Sequence, residues 1–275
     1  MPKISELTPE RGRMFMFKGE FKTGKTVAYG SFPEPIYIFD CDGRMAPLAS
    51  CPWLKGKDIE YDTYTDWNKI TKKLEEFEHR CDFATVVMGS LTSLARCTIN
   101  SLFRNRGTGS SGRKGDKAEP LSIGGIPIMG IAEYNGESSG LNIIMTQMRV
   151  IHNIHKCNMI LECHVVTGEI PQLGGGATTF RRIVTGGNKV AAEIPGYFDE
   201  VYHFYCDSDI NSEKREFVAR IRSNSIDFAG SAIPELPDKI NHTNEDFYKI
   251  WSGYLPKDSA KTTLNTENEF NSFQG

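Results

Sequence analysis

The 275-residue sequence has no apolar run near the ~18–20 residues that a membrane-spanning helix needs. Its opening, MPKISELTPERGR, has no apolar core of the kind a signal peptide carries. Both absences predict a cytoplasmic protein that does not enter a membrane. The seven cysteines (Cys41, Cys51, Cys81, Cys97, Cys157, Cys163 and Cys206) are odd in number and form no C-x-x-C pair. That excludes a secreted disulfide frame and predicts reduced thiols. A large excess of one charge is also missing: 32 Lys+Arg stand against 35 Asp+Glu, for a net charge of −3. The chain is therefore no basic nucleic-acid coat, although a local basic groove remains compatible with this balance. There is no internal repeat. The group His152, His155, Cys157, Cys163 and His164 is the nearest approach to a metal cluster. It falls on one predicted helix and one strand, and four convergent ligands are not in view, so His152 and His155 are expected on a polar helix surface.

What is present is the texture of a soluble domain, with 39% hydrophobic and 24% charged residues. Met-Phe-Met-Phe-Lys at 14–18 runs into Gly19 and predicts a buried parallel strand. A short helix can follow from Lys25 to Ser31 before Pro33 and Pro35 end it. Ile36 to Phe39 predicts a second buried strand, closing on Asp40 and Asp42. Over 66–80, Trp67, Ile70, Leu74 and Phe77 recur at helical spacing, with Thr65 or Asp66 as N-cap. Phe83 to Met88 predicts a third strand, 139–156 a helix, and 158–164 a fourth strand. Two further strands are expected over 198–206 and 215–222. Alternating strands and helices indicate an α/β layered domain. Two glycine-rich basic stretches, 105–125 and 168–189, are expected to be long loops. The expected organisation is an N-terminal segment over 1–12, one domain over 13–255 and a flexible polar tail over 256–275.

The chemistry starts at Gly19-Glu20-Phe21-Lys22-Thr23-Gly24-Lys25-Thr26, which matches G-x-x-x-x-G-K-[ST], the Walker A phosphate-binding loop. The glycines let the backbone turn its N–H groups toward a β-phosphate, and the helix that begins at Lys25 and continues through Val27 offers its positive end. Lys25 is placed to reach the β- and γ-phosphates of ATP, and the Thr26 hydroxyl to ligate Mg²⁺. Residue frequencies make the pattern an accident in roughly one chain in a hundred of this length. Here it also follows a strand and opens a helix, as phosphate binding requires.

The succession FKGEFKTGKT, PIYIFDCDG, FATVVMGSLTSL and NMILECHVVTGE resembles the RecA-like P-loop ATPases of bacteriophages. More narrowly it resembles the phage AAA-type nucleotide-binding proteins that include RecA-like single-strand annealing proteins. The resemblance spans about residues 13–235. It implies a RecA-like P-loop NTPase fold, a mainly parallel sheet flanked by helices with C-terminal antiparallel strands. It further implies an ATPase of DNA recombination or replication in the bacterial host cytoplasm, binding single-stranded DNA and self-associating into a ring or filament. Asp42 matches the acid that activates the attacking water, and His164 the polar group that senses the γ-phosphate. One position departs. The resemblance calls for a Walker B aspartate after Val86-Val87-Met88, and this sequence has Gly89, followed by Ser90. Mg²⁺ would then depend on Thr26, the nucleotide, waters and Asp40, and hydrolysis would suffer.

In such enzymes two mobile loops bind DNA. The matching stretches carry Arg104, Arg106, Arg113, Lys114 and Lys117 in the first, and Arg181, Arg182 and Lys189 in the second. Electrostatic contact needs only local charge. Arg182 or Lys189 could instead serve as the cation that a neighbouring subunit lends to the γ-phosphate. Gly89 favours an alternative, a nucleotide-gated assembly protein that binds ATP but barely turns it over. A small-molecule kinase is the other alternative, with the glycine-rich segments as candidate lids.

Overall fold

A computed structural model describes residues 12–105, 122–123, 126–127, 131–171, 177–185, 188–208, 215–224 and 226–255. In chain order these form β1 (Met14–Gly19), α1 (Lys25–Gly30), β2 (Ile36–Asp40), α2 (Ala46–Ser50), β3 (Ile59–Thr63), α3 (Trp67–His79), β4 (Thr85–Gly89) and α4 (Leu91–Asn105). There follow β5 (Ser122–Ile123), β6 (Ile126–Pro127), α5 (Ile131–His155), β7 (Asn158–Pro171), β8 (Ala177–Ile183), α6 (Asn188–Glu193) and β9 (Glu200–Ser208). The chain closes with β10 (Arg215–Arg220), β11 (Gly230–Ser231), β12 (Lys239–Asn241) and α7 (Phe247–Ser252).

One ten-stranded sheet organises the molecule, in the order β12-β10-β9-β1-β7-β4-β2-β3, with β11 beside β9 and β8 beside β7. The six strands from β9 to β3 are parallel, whereas β10, β12, β11 and β8 pair antiparallel. The expected class is therefore found, with the antiparallel strands at the C-terminal side. β1 lies centrally, and β7 separates it from β4.

The alternation in β1 explains why a run without polar breaks becomes a strand. Met14 and Met16 face a layer made by α3, α4 and α5, and Phe15 and Phe17 face a second layer holding α1, α2 and α7. Both faces are covered, so both sets are apolar. α3 starts where the Asp66 carboxylate accepts the backbone N–H groups of Asn68 (2.9 Å) and Lys69 (3.3 Å), which settles the cap on Asp66. It buries Ile70, Leu74 and Phe77.

Three expectations are corrected. The stretch 168–189 is no simple loop: β7 continues to Pro171 and pairs with β8 in seven consecutive register positions. Backbone pairing there overrides the glycine-rich composition. His152 is buried rather than on a polar surface, with Nδ1 2.9 Å from the Cys157 carbonyl, where it helps to turn the end of α5 into β7. The helix expected over 139–156 begins earlier, at Ile131. The expected tail over 256–275, residues 1–11 and most of the first basic stretch lie outside the described residues.

Candidate functional site

The site forms at the C-terminal edge of the parallel strands. Gly19 ends β1 where the Phe204 carbonyl of β9 comes so close that a Cβ would collide with it. Lys22 (φ 62°) and Gly24 (φ 88°) take the left-handed conformation, and this coils the loop so that its backbone can wrap a ligand. The Lys25 side chain is 3% exposed and folds back, donating to the carbonyls of Gly19 (3.0 Å) and Glu20 (2.7 Å). Burial lowers its pKa, and the Glu162 carboxylate, 3.8 Å away, works against that shift. Thr23 donates to the Glu20 carbonyl at 2.9 Å and holds the turn.

Asp40 and Asp42 play different parts. Asp40 is 1% exposed, and its Oδ1 accepts the backbone N–H groups of Asp42 (3.1 Å), Gly43 (2.7 Å) and Arg44 (3.4 Å). One of its oxygens is thus committed to shaping the turn after β2. Asp42 accepts a hydrogen bond from the Ser90 hydroxyl (3.1 Å) and lies 3.4 Å from Nε2 of His164. Burial pushes the Asp42 pKa up, but hydrogen bonds from His164, Ser93 and Ser90 outweigh it and bring it down to about 2. Because an ionised Asp42 only accepts, Nε2 of His164 carries the proton between them. His164 stands level with Gly19 in the β1–β7 register and stacks on Phe21 of the loop at 4.2 Å, and the Arg44 guanidinium lies over the Phe21 ring at 5.3 Å. Its Nδ1 has no hydrogen-bond partner.

These groups line a cavity of about 930 Å³, large enough for a small organic ligand. Lys25, Thr26, Val27, Asp40, Asp42, Gly89 and His164 all border it. Its lining also includes the apolar and aromatic side chains of Met45, Trp53, Phe217 and His242, the last two beside Gly24 of the loop. The structure thus gathers Phe21 to Val27 of the loop with Asp40, Asp42 and His164 around one opening, while Gly19 and Glu20 are not part of its lining. It also adds residues that linear reading missed. Glu162 lies 7% exposed inside the apolar run of β7, and its charge there was the available signal. Tyr29 is fully buried, its hydroxyl beside Thr26 and Glu162 without a hydrogen bond of good geometry to either. His242, just past β12, touches Gly24 and has no sequence signature.

The basic residues are distributed differently. Arg106, Arg113 and Lys114 lie outside the described residues, as does the side chain of Lys189. Nη1 of Arg181 donates to both oxygens of the buried Asp227 at 2.9 Å, and Arg220 and His203 approach the same carboxylate at 3.8 and 3.6 Å. Arg182, on the alternate face of β8, is exposed.

No family model matches the chain, and no curated protein matches it in sequence. Among solved structures it is similar to a KaiC-like protein of the archaeon Pyrococcus horikoshii, at 12% identity over 86% of this chain and 88% of that one, with a TM-score of 0.45. It is also similar to the flagellar accessory protein FlaH of Methanocaldococcus jannaschii, at 11% identity over 86% and 87%, with a TM-score of 0.45. The class is defined by the chain itself: an α/β fold with a mostly parallel sheet flanked by helices, whose central strand delivers a Walker A sequence to the sheet edge.

Proposed function

We propose that the chain binds ATP with Mg²⁺ in the cavity at the end of β1 and hydrolyses it slowly. The observation that carries this reading is the convergence of Lys25, Thr26 and the Asp42–His164 pair on one opening. Lys25 would exchange its two backbone carbonyls for phosphate oxygens. The exchange is favourable because its charge is already stripped of water. Asp42, with a pKa of about 2, is too weak a base to take a proton efficiently at neutral pH. Its part is to orient the attacking water. His164 is held by Asp42 on one nitrogen and by Phe21 on its face, so the ring is fixed at the cavity in the place of the group that senses a γ-phosphate. The base would lie against the aromatic side chains of the cavity. Thr26 and Asp40 fit a hard cation by their oxygen donors; Mg²⁺ would neutralise charge on the transferring phosphoryl group.

The reading extends to work on single-stranded DNA, as a ring or filament, in bacteriophage recombination or replication within the bacterial host. It is supported by the resemblance and by the exposed Arg182 on the β7–β8 hairpin. The second reading, a nucleotide-gated binding protein with little turnover, is favoured by Gly89. Phosphate release from ATP with Mg²⁺, with and without single-stranded DNA, separates them. Release stimulated by DNA and abolished in Lys25→Ala supports the first. Tight ATP binding without release supports the second, and no ATP binding overturns both.

A further inference from the structure

Glu162 is an acid set in an otherwise apolar stretch of strand. It follows Met159, Ile160 and Leu161, all fully buried, and sits 7% exposed in the middle of β7. A desolvated carboxylate is costly unless it is closely paired. Its cation, Lys25, stands 3.8 Å away and spends its hydrogen bonds on the carbonyls of Gly19 and Glu20. The pair is thus held loosely, at a separation that leaves both partners able to engage something between or beside them.

The register shows what Glu162 stands next to. Met88 of β4 pairs with Leu161 of β7, so the following residues, Gly89 and Glu162, lie side by side on adjacent parallel strands. A Cβ built on Gly89 would be 3.6 Å from Oε2 of Glu162. The carboxylate therefore occupies the space into which a side chain at position 89 would project. Gly89 and Glu162 border the same cavity as Lys25, Thr26 and Asp40.

We propose that Glu162 supplies from β7 the acid that β4 lacks at Gly89, holding the water shell of the Mg²⁺ that accompanies ATP. Mg²⁺ retains several waters, so a carboxylate one strand away can serve it through them without direct ligation. Burial favours the neutral acid at Glu162, and Lys25 and His164 oppose that; a divalent cation would add to the same opposition. The inference rests on the proposed ATP site and adds to it the residue that compensates Gly89.

The test compares ATP affinity in EDTA and in Mg²⁺ by calorimetry, using the full chain, Glu162→Gln and the double variant Glu162→Ala/Gly89→Asp, in which the alanine vacates the space that the new aspartate enters. The expected result is that Glu162→Gln binds ATP in EDTA as the parent does but loses roughly 10–100-fold of the gain that Mg²⁺ gives. The double variant, with a carboxylate restored from β4, should recover that gain. Equal weakening with and without Mg²⁺ would make Glu162 only the counter-ion of Lys25 and overturn the proposal, as would an undiminished Mg²⁺ gain in Glu162→Gln. If Glu162→Gln does not fold, the double variant decides: a parental Mg²⁺ gain supports the proposal and its absence refutes it. Failure of the parent to bind ATP under either condition would instead be failure of the ATP site itself.

Discussion

Acidification should loosen this protein through His242, a residue that packs on the phosphate-binding loop. His242 is 3% exposed and ringed by Phe204, Phe217 and Phe247 at centroid distances of 5.5, 6.3 and 5.5 Å. Its Nε2 has no hydrogen-bond partner, and its Cε1 bounds the space beside Gly24. Burial alone lowers its pKa from 6.5 to about 4. The sign follows directly. Above pH 6.5 the ring is neutral in both folded and unfolded chains, and its titration costs the fold nothing. Between 6.5 and 4 the unfolded chain takes up a proton that the folded chain refuses, so stability falls with pH across that window. The full gap corresponds to about 3 kcal/mol, of which about 2 kcal/mol is lost by pH 5. His242→Phe removes the titration and keeps an aromatic ring among the three phenylalanines. Urea unfolding at pH 7.5 and pH 5 should show the parent losing about 2 kcal/mol more than His242→Phe. His203, lowered to about 4 by burial against the pull of Asp227, titrates equally in both proteins and cancels. Identical pH slopes in parent and variant would refute the reasoning, because they would mean that water reaches the ring.

Three further outcomes are expected. Gly24→Ala should lower the melting temperature by several degrees, since a left-handed φ of 88° and a Cβ 2.9 Å from His242 together cost about 1–3 kcal/mol; an unchanged melting temperature would contradict the loop geometry. Asp42→Asn should cost about 2 kcal/mol at neutral pH, because the Asp42 pKa falls from 3.8 to about 2 on folding. A depressed carboxylate pKa gives stability that is complete above about pH 5 and fades as pH falls toward 2, so urea unfolding should find the difference shrinking by pH 3. Arg181→Ala should destabilise by about 3 kcal/mol, leaving buried Asp227 with only the looser approaches of His203 and Arg220. Full stability in that variant, joined to weakened DNA binding, would mean that Arg181 serves the ligand and not the fold.

What the sequence disclosed and what it concealed follow from the range over which each feature is encoded. The P-loop is eight consecutive residues between an apolar strand and a helix start, so motif, strand and helix vouch for one another. α3 was equally legible, because its stripe and its Asp66 cap lie within one stretch. β3 gave little away, since Ile59–Thr63 is mostly exposed and carries two acids. The second hairpin strand, β8, was hidden by the glycines around it, and only its partner β7 makes it a strand. α4 could have been found: Leu91, Leu94 and Ala95 recur at helical spacing and are all buried.

Among the described residues, the site shows the same division. Lys25, Thr26 and Asp42 were legible because each lies within a few residues of a strand end that the apolar runs mark. Glu162 was not, because the feature that gives it meaning is Gly89, on a different strand, and no local pattern links an acid in one strand to an absence in another. Register makes the link: one step past the Met88–Leu161 pair, a carboxylate lies against a glycine. Read along β4 alone, Gly89 signifies lost catalysis. Read across the sheet, the same glycine provides the room in which Glu162 can sit, so the loss at one position and the buried acid at the other have a single explanation.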